Sequence, residues 1–249
     1  MSAFQVTAIF LLLILNSATA CFAQSHYRIT SKSDYLVSAE ELKMSRQSQK
    51  AFDKGSQLLL KGNAAESIAY LVRAIAEYPG HYRAYYNLGV AHFRLGHLDD
   101  AEQALQKSID LAGGRFAPPH FALAMILCQR AEFQQGETVV QAGLDIEPGS
   151  AVGKYLLGLA QYGLNRLRDA ERNLQEALVR NAKLSEAYYL LGRIHEQQHN
   201  APGATKDLEL YLKLSSHGPN SDQARTLLEK IHRSIDQKTD AATIATATP

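Results

Sequence analysis

One stretch of the chain has residue types and spacing that could do chemistry: His195-Glu196-Gln197-Gln198-His199. Two histidines at i and i+4 on one helix face can share a zinc ion, with the glutamate between them as general base of a hydrolase. Such a site needs a third protein ligand. The continuation that would supply it as histidine puts Gly at 202 and His at 205, where this chain has Pro202 and Thr205. A downstream glutamate, Glu229, stands in no supporting motif. There is no G-x-S-x-G, no phosphate-binding glycine loop and no cysteine–histidine pair that reads as nucleophile and base. His81, His92, His97 and His120 read as scattered over turns and helix interfaces. A zinc metalloprotease is therefore the outside reading, and no enzyme, no cofactor and no metal site are expected.

The elements that would position these residues declare themselves through a repeat. Small residues recur at Gly55, Gly89, Ala124, Gly158 and Gly192, in steps of 34, 35, 34 and 34. Ser67, Ala101, Gly136, Ala170 and Ala204 step identically. Ala74, Ser108, Gly143 and Ala177 do so too, until Tyr211 breaks that series. The extra residue falls in the turn "LAGGRFAPPH", where an insertion costs little. Between the markers, apolar residues fall at i, i+3, i+4 and i+7, as in "AYYNLGVAHFRL" and "DDAEQALQKSIDL", so each unit is a helix pair. The small residues mark where two helix backbones cross closely. One pair cannot bury its apolar face alone and must stack on the next.

With Tyr85, Leu88, Gly89, Ala101, Leu105 and Pro79 or Pro148 in place, the chain resembles a tetratricopeptide repeat protein. The resemblance implies an all-α, right-handed α-solenoid of five units, 48–81, 82–116, 117–150, 151–184 and 185–218, with a cap helix at 220–237 completing a solenoid over 38–237. The first and fifth units depart from the pattern at Lys54 and Ser216. In this register His195 falls at unit position eleven, which faces the partner helix. His199 falls at position fifteen with Gly62, Gly96, Ala131 and Asn165, the place of a left-handed residue ending a helix. A shared zinc ion is not assured there.

The resemblance also implies an inner groove lined by the first helix of each unit, at positions two, five, nine, twelve and thirteen. Position five is aromatic throughout, with Phe52, Tyr86, Phe121, Tyr155 and Tyr189. Asn87, Val90, Phe93, Met125, Leu159, Tyr162 and Arg193 complete the candidate partner-binding groove, an apolar surface for an extended or helical segment of another protein. Tyrosine is common at position five for packing as well, so groove and core both remain open for single residues. The family's clamp for a C-terminal carboxylate would need Lys, Asn, Asn, Lys and Arg where this chain has Phe52, Ser56, Asn87, Pro118 and Ala122. Only Asn87 agrees, so a chaperone-tail clamp is not expected.

The termini bear on location. The run Val6 to Leu15 is uncharged and apolar, and small residues follow in "NSATACFAQS", which reads as a signal peptide over 1–23 and an exported protein, periplasmic or extracellular. Cleavage after Ala20 or after Ala23 satisfies the small-residue rule, and the first would leave Cys21 as a lipidation site. Only then is a membrane partner expected. Residues 24–37 read as linker, Ser38 to Glu41 as a capping box, and 238–249 as a disordered tail. A net charge of +1 gives no field that draws nucleic acid. The functional expectation is a protein–protein interaction adaptor with a protein or peptide partner. The alternative is a scaffold subunit or pilotin-like lipoprotein of an outer-membrane or pilus assembly.

Overall fold

The computed structural model of the protein describes residues 45–246. The signal peptide and Cys21, the linker, the capping box and residues 247–249 lie outside the described residues. Within them the chain forms eleven helices and no strand. The helices are α1 (Arg46–Leu60), α2 (Ala64–Glu77), α3 (Tyr82–Arg94), α4 (Leu98–Ala112), α5 (Pro118–Gln129), α6 (Phe133–Ile146), α7 (Ala151–Gly163), α8 (Leu167–Arg180), α9 (Ser185–Gln197), α10 (Ala201–Leu214) and α11 (Ser221–Thr246). The first ten pair as five helix–turn–helix units stacked in chain order, and α11 closes the stack against α10. The fold is an all-α helical-repeat solenoid.

Local chemistry sets the helix boundaries. The Ser45 and Ser150 hydroxyls accept the backbone N–H of Ser48 and Gly153, and Asn200 Oδ1 accepts that of Gly203, satisfying donors the helix start would otherwise orphan. The turn inside each unit has one backbone form throughout. Gly62, Gly96, Ala131, Asn165 and His199 all take positive φ, between 58° and 85°. Each time the following N–H reaches back to the carbonyl of position eleven, as His97 does to His92 and Asn200 to His195. Ala131 has no means of relieving the left-handed conformation, so Ala131→Gly should raise unfolding free energy by about 1 kcal/mol. A urea melt unchanged or shifted down would contradict that.

Close helix crossings explain the small residues. A Cβ on Gly89 would stand 2.7 Å from Leu105 Cγ, and one on Gly158 would stand 2.8 Å from Leu174 Cγ and 3.1 Å from the Ala170 carbonyl oxygen. The third unit departs from this in a compensated way: Ala124 takes the glycine's place, and Val140 takes the leucine's. Both are fully buried. The added methyl is matched by a shorter facing side chain. Gly158→Ala alone should therefore cost about 1–3 kcal/mol despite better helix propensity. Leu174→Val should then cost less in that background than in the wild type, a coupling that a double-mutant cycle reads directly.

One continuous core runs from Leu59 to Ile231 through all five units, with a small satellite of Ala51, Ala74 and Ala84. Ion pairs tie successive units along the outside. Arg130 reaches back to Asp99 and Glu102, Arg166 to Glu137, and Lys230 on α11 to Glu196. Tyr211, where the third small series breaks, occupies the join to α11, and its hydroxyl accepts the Asn220 N–H at 3.1 Å. Its size suits a place where no sixth unit follows.

The C-terminus differs from the expectation in one respect. The cap helix runs to Thr246 and not to residue 237, so the tail expected to be disordered from 238 is helical over most of its length. No Gly or Pro occurs between Pro219 and Pro249, so nothing in the sequence stops the helix. On this helix Ala224 and Ile231 are buried, whereas Ile235 is 41% exposed because the stack ends before its turn of helix.

Candidate functional site

The H-E-x-x-H stretch sits at the end of α9. His195 lies on the helix, whereas His199 is beyond the cap residue Gln198, at φ 58°. The two imidazoles are thus not presented one helical turn apart on a common face. Each partner group is also engaged elsewhere. His195 Nδ1 lies 2.8 Å from Asp207 Oδ2, and its Nε2 lies 3.3 Å from Glu171 Oε1. Glu196, the would-be base, accepts a hydrogen bond from Lys230 Nζ at 2.8 Å. Burial pushes the Asp207 carboxyl up from its ordinary range, with His195 working against that shift. These contacts make the stretch a polar seam between units.

The candidate groove residues are placed differently from an open groove. Apart from Phe52 and Arg193, which are half-buried, all of them (Tyr86, Asn87, Val90, Phe93, Phe121, Met125, Tyr155, Leu159, Tyr162 and Tyr189) are buried. Phe121 shows why. Its ring enters a slot between α6 and α7, where a Cβ added to Gly143 would stand 2.6 Å from Phe121 Cε1 and one added to Gly153 would stand 2.7 Å from it. Tyr86 meets Phe116 edge-on at 5.5 Å between centroids, and Tyr189 packs against Tyr211 at 5.3 Å with the rings tilted. The Phe121 ring packs between the second helix of its own unit and the first helix of the next, because Gly143 and Gly153 admit it.

Polar groups on the same helices are laced from unit to unit. Asn87 Nδ2 donates to Ser56 Oγ at 2.8 Å, and Gln197 Nε2 donates to the Tyr162 hydroxyl at 2.9 Å. Arg193 Nη1 donates to the Tyr189 hydroxyl at 3.3 Å. Burial raises the Tyr162 phenol, and Arg193 opposes the shift. The exposed residues of the inner register are instead Gln49 at position two and, at position thirteen, Leu60, 65% exposed, with Arg94 and Gln197.

A model of the tetratricopeptide repeat family matches residues 52–116 and 155–219, together more than half of the chain. The chain is a tetratricopeptide repeat protein. Its solved structural neighbours include MamA from Desulfovibrio magneticus RS-1, with 20% identity, a TM-score of 0.60, and coverage of 70% of this chain and 97% of that one. TTC0263 from Thermus thermophilus aligns with 18% identity and a TM-score of 0.59 over 74% of this chain and 98% of its own. YrrB, a repeat protein described as having an unusual peptide-binding site, aligns with 13% identity and a TM-score of 0.54 over 71% and 90%. No curated protein matches the sequence. At these identities the likeness to solved structures is one of fold, and the repeat family is one of protein-interaction modules.

In this repeat protein the sequence reading overlooked one constellation. His92 and His97, read as scattered, come together with Asp100 at the turn of the second unit. The signal was an H-x4-H-x2-D spacing, which gathers its ligands only once the left-handed turn at Gly96 folds α4 back on α3.

Proposed function

We propose that this repeat protein is a non-catalytic adaptor of the cell envelope that holds a segment of another protein along its first helices. In this family's arrangement those helices line the inner surface. The observation that carries the reading is Leu60, a large apolar side chain 65% exposed at inner position thirteen, on the same helix as half-buried Phe52. Exposed apolar side chains at the edge of an otherwise packed face suit a partner's anchor residue. The peptide-binding site ascribed to YrrB supports the same use of a similar fold. The envelope location rests on the apolar run Val6 to Leu15 and the small residues after it. Among the described residues no helix is long and apolar enough to cross a membrane.

The test compares wild type with Leu60→Asp in capture experiments from the envelope fraction. Substitution at so exposed a position should leave stability within about 0.5 kcal/mol. A partner captured by wild type and lost by the folded variant supports the adaptor; equal capture by both moves the interaction off the inner register. The scaffold alternative rests on Ala18-Thr19-Ala20 before Cys21, and a diacylglyceryl mass on Cys21 would favour it.

A further inference from the structure

His92 closes the last turn of α3, His97 precedes α4, and Asp100 lies in the first turn of α4. One potential ligand atom from each lies within 4.8 Å of the other two. The imidazole centroids are 5.8 Å apart, and His92 Nδ1 stands 3.7 Å from Asp100 Oδ2, beyond hydrogen-bonding reach. That Nδ1 is buried and has no hydrogen-bond partner.

Comparison with the other units makes the orphan nitrogen informative. Position eleven is polar again in units four and five, as Gln161 and His195, and each is satisfied from position twenty-three of its own unit. Asn173 Nδ2 donates to Gln161 Oε1 at 2.8 Å, and Asp207 Oδ2 meets His195 Nδ1 at 2.8 Å. In unit two, position twenty-three is Ala104, which offers nothing. His92 faces His97 and Asp100 instead. The neighbouring acids Asp99 and Glu102 are occupied by Arg130, and the His97 ring makes no capping bond to α4.

We infer that His92, His97 and Asp100 form a binding site for a divalent d-block cation that clips the end of α3 to the start of α4. Two imidazole nitrogens and one carboxylate oxygen suit zinc, cobalt, nickel or copper, with water completing the coordination. Ligands around zinc stand roughly 3.3 Å apart, so the side chains must close by up to about 1.5 Å, which the exposed His97 and Asp100 can do by rotation.

The experiment titrates tag-free, metal-stripped full-length protein with zinc in a calorimeter and with cobalt(II) in a spectrophotometer, for wild type, His97→Ala, Asp100→Asn and His199→Ala. Wild type and His199→Ala should bind one ion and show visible cobalt bands. His97→Ala should weaken zinc by roughly tenfold or more, since loss of even an outer-sphere partner costs that much. Asp100→Asn should weaken it in the same direction, and zinc should raise the melting temperature of wild type but not of His97→Ala. No binding by wild type, or binding unchanged in His97→Ala or lost in His199→Ala, overturns the site. His97 is exposed, so its variant is expected to fold, and circular dichroism checks this.

Discussion

Phe121→Ala is expected to remove about 3–5 kcal/mol of unfolding free energy, the usual range for emptying a buried aromatic site. Phe121 is 1% exposed and its ring is sandwiched at Gly143 and Gly153. Those glycines lie on helix backbone and have no side chain with which to refill the hole, so little relaxation is available. The loss should appear in a urea melt as a lower midpoint at unchanged slope. Had this ring lined an open groove, its removal would cost little stability and much partner affinity. A loss under about 1 kcal/mol would return Phe121 to the groove.

The second large effect is a pH dependence carried by His81. This side chain is 3% exposed, packs on Phe52 at 4.6 Å between centroids, and accepts the Ala84 N–H at the start of α3. Burial foremost, then the Arg83 charge, lowers its pKa from 6.5 to about 4. The folded state therefore binds its proton later than the unfolded state does. The corresponding stability is full above pH 6.5 and drains away as pH falls toward 4, by about 2–3 kcal/mol at pH 4.5. His92 and His120, also lowered by burial, act in the same direction. Glu186 and Asp207, both raised by burial, act in the opposite one. The difference between wild type and His81→Asn isolates His81, because asparagine keeps a capping acceptor without the titration. The two proteins should converge in stability at pH 4.5 relative to pH 7.5; parallel curves would contradict the assignment.

The architecture was legible because the repeat turns local chemistry into five parallel observations. A lone glycine says little, whereas Gly55, Gly89, Gly158 and Gly192 facing Leu71, Leu105, Leu174 and Leu208 describe one crossing four times over. The left-handed place of His199 was readable for the same reason, from Gly62, Gly96 and Asn165 in register. Periodicity tells which face of a helix a side chain occupies, but not how far the next unit closes over it. For Phe121 and Tyr189 the sequence therefore leaves groove and core both open, and the structure seats Phe121 in a glycine slot and Tyr189 against Tyr211. The His92, His97 and Asp100 cluster was illegible for another reason: its members belong to two helices, and only the turn makes them neighbours. The length of α11 is not legible in its small, unpatterned residues, which suggest disorder although no Gly or Pro breaks the helix before Thr246.

The measurement that bears most directly on an inner-face adaptor is site-specific photo-cross-linking in cells. A photoreactive residue would be placed in turn at Leu60 and Gln197, exposed in the inner register, and at Val179 on α8, 86% exposed. An adaptor that works through its inner face gives one defined partner band from both inner positions and none from Val179. A band from Val179 alone, or from all three positions alike, would contradict it.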